Sequence, residues 1–323
     1  MKFLRLLGLV MIMMAASYPL NAENPSPANE WITLGTSAGP IPDAVRSQPA
    51  NALVVNGNVY LADAGDGTAG RLASAGYSHK AVRAIFISHL HFDHTGGIPA
   101  ILALRWQTSA REPITIYGPP GTRDTVEGIF AFMEYGALGA YGVPGQTPKP
   151  ANYQVEVVEL EDGSTIDTGD FTLTAVRNTH YSWPEGSDEW KKFQSLAFKF
   201  ELPNRSIVYT GDTGPSGAVE KLAQNADLLV SEMMDIDKTV ETVSRANPNM
   251  PEKALANMRS HLTAHHVTPE QVGEMATRAK VKKLVATHLA PAMLESSEVD
   301  YYTKRVRSKF DGDFFIASDL DRF

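Results

Sequence analysis

One stretch constrains this chain more than any other. Ser88-His89-Leu90-His91-Phe92-Asp93-His94-Thr95-Gly96-Gly97 follows the apolar run 84–87 and precedes a helical pattern. Four candidate metal ligands therefore fall within six positions. In a turn leaving a strand, His89 and His91 can point to one side while Asp93 and His94 reach around to a neighbouring point, and the paired glycines let the backbone bend beneath them. Two closely spaced metal positions become feasible. The chain has no cysteine, so thiolate zinc, iron–sulfur clusters and disulfide scaffolds are excluded, and His, Asp and Glu are left as ligands.

Three further polar residues stand where an apolar β run stops: His180 after 171–177, Asp212 after 206–210 and His288 after 283–287. Taken singly, Asp212 also fits a turn or helix cap, and either histidine a surface position. Together with the first cluster they complete a ligand count of seven. With Asp212 shared, that set suits two roughly tetrahedral or five-coordinate ions of the kind zinc forms, and imidazole-rich sites also accept iron or manganese.

The 323 residues carry 29 Lys plus Arg against 37 Asp plus Glu, a net charge of −8, which argues against non-specific binding to a nucleic-acid polymer. Residues 1–22 begin with Lys2 and Arg5, run apolar over 6–16 and end in small residues near Ser17 and Ala22, the pattern of a secretory signal peptide cleaved after one of those two. Eleven apolar residues are too few for a stable membrane anchor, which needs about 20. Residues 23–30 read as a linker and 31–323 as one catalytic domain, periplasmic or secreted; a homodimer is left open. Strands are expected at 52–55, 59–62, 84–88, 114–117, 153–160, 171–177, 195–201, 206–210, 227–231 and 283–287, and helices at 67–75, 98–108, 122–135, 217–223, 251–257 and 269–279. Hairpins first and strand–helix alternation later imply an α/β protein of two packed sheets with helices outside. The Gly/Pro-rich segment 136–150 is either a loop at the rim of a site or a plain surface loop.

The run His89, His91, Asp93 and His94 resembles the H-x-H-x-D-H hallmark of the metallo-β-lactamase superfamily, and the later matches agree in order. The resemblance implies an αββα sandwich of two mixed sheets over nearly all of 31–323. It also implies one metal held by His89, His91 and His180, a second by Asp93, His94 and His288, and Asp212 bridging them. A finer similarity lies in Ala226-Asp227-Leu228-Leu229-Val230-Ser231-Glu232, then Ser260-His261-Leu262-Thr263-Ala264, then Ala286-Thr287-His288-Leu289-Ala290-Pro291. This order resembles ribonuclease Z and its relatives, including zinc arylsulfatases and phosphodiesterases. In that group a His-Glu pair ends the strand and a later histidine, matched here by His261, assists the leaving group. Ser231 replaces the first histidine, and Glu232 is left to orient His261.

The expectation is thus an exported dinuclear zinc hydrolase that uses a metal-bridging hydroxide on small anionic esters, either phosphodiesters or aryl sulfates, with His261, Glu232 and Asp93 as catalytic residues. His261 alternatively caps a helix near Arg259 and Ser260. His265 and His266 read as solvent-facing or as supporting a ligand without binding metal. Residues 181–192, with Trp183, Trp190, Lys191 and Lys192, form either an aromatic and cationic wall over the metals or an ordinary exposed hairpin. Two other readings stand beside this one: a lactone or β-lactam hydrolase, which needs no leaving-group acid, and a metal-binding or biosynthetic protein without hydrolytic turnover.

Overall fold

The structure is a computed structural model that describes residues 29–292 and 296–323. The expected signal peptide and most of the expected linker lie outside the described residues. Two sheets face one another. The first holds, in spatial order, β1 (Asn29–Gly35), β2 (Ala50–Val55), β3 (Asn58–Ala64), β4 (Val82–Phe86), β5 (Ile114–Gly118) and β6 (Val155–Glu159). The second runs from β7 (Thr165–Asp167) through β8 (Thr172–Arg177), β9 (Leu196–Glu201), β10 (Ser206–Tyr209), β11 (Leu228–Met234) and β12 (Lys283–Ala290) to β13 (Asp313–Ile316). Each sheet mixes antiparallel hairpins with parallel pairs joined by helical crossovers.

The central strands are buried on both faces, so alternate residues serve different layers. In β2, Leu53 and Val55 enter the core between the sheets, where Trp31, Phe86, Phe198, Phe200 and Tyr209 meet. Ala52 and Val54 pack outward against α1 (Thr68–Ser74), α3 (Ile98–Gln107) and α4 (Thr122–Leu138). Between α1 and α3 lies a single short turn, α2 (Phe92–Thr95). The second sheet's outer face is covered by α6 (Gly217–Leu222), α9 (Pro269–Ala279) and α10 (Ser296–Arg307). The short α5 (Asp188–Lys192) follows β8, and α7 (Ile236–Ala246) with α8 (Glu252–His265) forms a helical hairpin after β11. The two-sheet sandwich with outer helices is therefore as expected.

Of the boundaries that differ from the expected ones, three bear on the site or its frame. The first strand starts at Asn29, inside the expected linker, because Glu30 is tied down by Arg322 (2.7 Å) and by the Tyr77 hydroxyl. Helix α8 runs eight residues past the expected 257. Strand β12 does not stop before His288 but continues to Ala290, with His288 held at φ 46° where its register with β11 shifts. Segment 139–150 is a surface excursion packed on α3 through Tyr141 against Trp106. Among the described residues no helix is long and apolar enough to cross a membrane.

Candidate metal centre

The strands deliver their ends to one edge of the sandwich, and the seven expected ligands converge there. The turn after β4 brings His89, His91, Asp93 and His94; the ends of β8 and β10 bring His180 and Asp212; β12 brings His288. His89, His91 and His180 present ligand atoms within 4.8 Å of one another, as do Asp93, His94 and His288, and as do His89, His94 and Asp212. Asp212 lies between the two trios. Its Oδ1 is 3.1 Å from His288 Nε2 and 3.3 Å from His94 Nε2, while its Oδ2 faces His89 Nε2 at 4.0 Å.

Close approach of these atoms is permitted by the backbone. Gly211, just before Asp212, has φ 56°, where a side chain is strained, and a Cβ on it would meet Ser88 Cβ at 2.7 Å. Gly39 packs directly on the Asp93 carboxylate, 2.1 Å from where its own Cβ would be.

Donor chemistry fits a divalent metal. His94 Nε2, Asp212 Oδ1 and His288 Nε2 are buried and face one another at ion-pair distance without hydrogen-bond geometry, and His288 Nδ1 is buried with no hydrogen-bond partner, a state costly for polar atoms unless something else engages them. Burial, with His94 and His180 nearby, pushes His89 well below its ordinary value, and burial pushes His180 down to about 3. Both are thus neutral imidazoles. Burial alone would raise Asp93 and Asp212, but contacts with His288 and His94 outweigh it and hold both well below the usual carboxylate range. Burial opposes charge on His94, but the Asp212 and Asp63 carboxylates outweigh it and hold that ring well above its ordinary value, so a metal there would displace its proton; neutral imidazoles and ionised carboxylates are the set that zinc accepts.

A residue that sequence reading missed organises the first half of the cluster. Asp63, fully buried near the end of β3, accepts from His94 Nδ1 (2.7 Å), the Ser88 backbone N–H (2.7 Å), the Ser88 hydroxyl (2.8 Å) and the Tyr209 hydroxyl (2.7 Å). Such a carboxylate behind a ligating histidine fixes the tautomer and turns Nε2 toward the metal position. A lone Asp after the apolar run 59–62 carries no local mark of that role.

The catalytic assignments need one correction. Glu232, buried in β11, does not orient His261. It accepts from the Thr213 backbone N–H and, at 2.8 Å, from His266 Nδ1. His266 is 5% exposed and stacks parallel to His288, so its expected solvent-facing position does not hold; a supporting position beside a ligand does. The reason is helix period: His261 and His265, four residues apart on α8, share a face and meet through their Nδ1 atoms at 2.8 Å. His266 ends the helix in extended backbone, and Val267 then pairs with Met234 of β11. Burial opposes charge on His266, but the Glu232 carboxylate outweighs it and holds the imidazole up to about 9.

A cavity of about 560 Å³ opens onto the cluster, lined by His91, Asp93, His180, Asp212, His261, His266 and His288. The segment after His180 only touches it. Tyr181 reaches His91 (3.4 Å), whereas Trp183, Trp190 and Arg177 line a neighbouring pocket, with Arg177 stacked on Trp190. The aromatic wall therefore stands beside the cluster, not over it.

Comparison with known proteins agrees with this geometry. The family model for the β-lactamase superfamily domain matches residues 40–289. Ribonuclease Z of Mycolicibacterium gilvum is 29% identical over 296 residues, covering 90% of this chain and 94% of that protein. The metallo-β-lactamase fold protein YhfI from Bacillus subtilis superposes with a TM-score of 0.65 at 19% identity, over 92% of this chain and all of its own. The short form of human tRNase Z does so with a TM-score of 0.61 at 24% identity, over 91% and 98%. With the H-x-H-x-D-H turn, the convergent ligands and a family match across most of its length, the chain belongs to the metallo-β-lactamase superfamily of metal-dependent hydrolases, in the ribonuclease Z group.

Proposed function

We propose that this protein is an exported dinuclear zinc hydrolase of small phosphodiesters or aryl sulfate esters, with His266 as proton donor to the leaving group. The observation that carries the reading is the buried Glu232–His266 pair beside the ligand cluster. His89, His91 and His180 would hold one ion, Asp93, His94 and His288 the other, and Asp212 both. Bound, such ions supply Lewis acidity at the ester and a water nucleophile near neutral pH. The chain's own residues do the rest. Asp63 fixes His94, Glu232 orients His266 and keeps its ring doubly protonated, and the proton on Nε2 passes to the departing oxygen, leaving a neutral imidazole with its proton on Nδ1. Export rests on the leader at 1–22.

RNA is the second reading, favoured by the ribonuclease Z relatives. Against it, none of the described residues lining the cavity is Lys or Arg, and a polyanion gains its affinity from such cations. The test compares zinc-loaded wild type with His266→Ala and His261→Ala on nitrophenyl phosphodiesters, an alkyl phosphodiester with a poor leaving group, nitrophenyl sulfate and a precursor tRNA. We expect turnover of the small esters. His266→Ala should cost about 10²- to 10⁴-fold with the poor leaving group and much less with nitrophenolate, and His261→Ala should cost less than either. Cleavage of the tRNA alone, or equal loss across leaving groups, would overturn the proposal.

A further inference from the structure

The cavity has two chemically different ends. One is the polar cluster. The other is walled by Ile41, Met234, Val243, Met258, Leu262 and Leu289, drawn from the 38–43 loop, β11, the α7–α8 hairpin and β12. Behind that wall lies a small apolar cluster of its own, in which Met234, Ile236, Val240 and Ala290 are buried and Leu255, Met258 and Leu262 pack partly exposed. Phe92 and Ile41 are 87% and 65% exposed at the mouth. Apolar side chains that close the rear of the wall and yet face open space in front are placed to cover something other than each other.

We infer that this end of the cavity receives an aliphatic chain, and that the substrate is an amphiphilic ester whose reacting group meets the histidine and aspartate end while its alkyl group lies between α7, α8 and the 38–43 loop. The inference rests on the hydrolase reading above and names the substrate class within it. Three observations favour an alkyl group over a nucleobase. The wall is built from Met and branched aliphatic residues, which adapt to a flexible chain. Among the described residues of the apolar end, the polar side chains are Ser37, Asp43 and Thr242 alone, whereas reading a base edge requires donors and acceptors beside its ring. Of the aromatic side chains suited to stacking, Trp183 and Trp190 belong to the separate pocket beyond Tyr181, and among the described residues the cavity itself has only Phe92, which is 87% exposed. The same apolar surface is a poor match to the ribose-phosphate backbone of RNA.

The experiment uses zinc-loaded full-length protein and methyl, butyl and octyl 4-nitrophenyl phosphates below their aggregation concentrations. Isothermal titration with methylphosphonate and octylphosphonate provides a reading independent of turnover. We expect kcat/KM to rise by up to about fourfold per added methylene, the scale of burying one CH₂, mostly through KM, and octylphosphonate to bind at least tenfold tighter than methylphosphonate. Met258→Lys and Ile41→Lys, both at partly open positions, should shrink the octyl-to-methyl ratio toward one. Hydrolysis of the whole series with no dependence on chain length, and equal binding of the two phosphonates, would overturn the groove while leaving the hydrolase standing. Tight octylphosphonate binding with no ester cleaved would uphold the groove and sink the reaction.

Discussion

The two sheets contribute to the metal centre in opposite ways. The first supplies a single turn, residues 88–94, braced from its own sheet: Asp63 of the adjacent strand β3 holds both Ser88 and His94. The second supplies isolated residues, His180, Asp212, Glu232 and His288, each from a different strand or strand end, with His266 swung in from the end of α8. One half is a contiguous turn wired to a single carboxylate of the adjacent strand, the other is set by where parallel strands happen to stop. Contiguity makes the first half recognisable; only topology makes the second half a site.

The sharpest way to break the first half is Asp63→Asn. An amide cannot accept from all of its present donors, so His94 loses its fixed tautomer, and zinc affinity measured by chelator competition should fall about 10- to 100-fold. Unchanged affinity would show that the turn organises itself without its brace.

The second half is broken through its backbone. Gly211→Ala places a Cβ in left-handed backbone and against Ser88, and should lower stability by about 1 to 2 kcal/mol in urea unfolding. A neutral result would mean that the β10 end adjusts independently of the turn it faces.

The smallest effect belongs to neither half. On the outer layer, Arg305 grips Glu270 at 2.7 and 2.8 Å and holds its carboxyl below the usual value of 4.5. A depressed folded-state value means stability that is present above 4.5 and lost as pH falls through the lower one. Because the pair is partly exposed, the difference in unfolding free energy from urea titration between wild type and Glu270→Gln should amount to less than about 1 kcal/mol at pH 6 and close as pH approaches 3. A difference that persists at acid pH would remove the ion pair as its cause.

Much of the site was legible in the sequence because metal binding imposes residue types that have few other reasons to cluster. The H-x-H-x-D-H turn announces itself, and His180, Asp212 and His288 each follow a readable apolar run. Asp63 was illegible because its partners, Ser88, His94 and Tyr209, are 25, 31 and 146 residues away, and nothing beside it is unusual. His266 was left between two positions for a different reason. The sequence pattern ended a helix near 257, so no helical register reached 261–266, and three histidines could not be sorted into those sharing a face and the one that leaves it. Helices α7 and α10 and strands β1, β7 and β13 were also missed. The first two carry polar and charged residues on most of their surface, and the strands are short or begin with polar residues whose burial depends on distant ion pairs.

Tyr209 belongs to the second sheet and Asp63 to the first, yet their hydroxyl and carboxylate meet in the middle of the sandwich. That contact is a rivet through both layers directly beneath the reactive edge. Any slip of one sheet over the other would tug on the same carboxylate that aims His94, so the alignment of the layers and the aim of the ligand are set by one shared fastening.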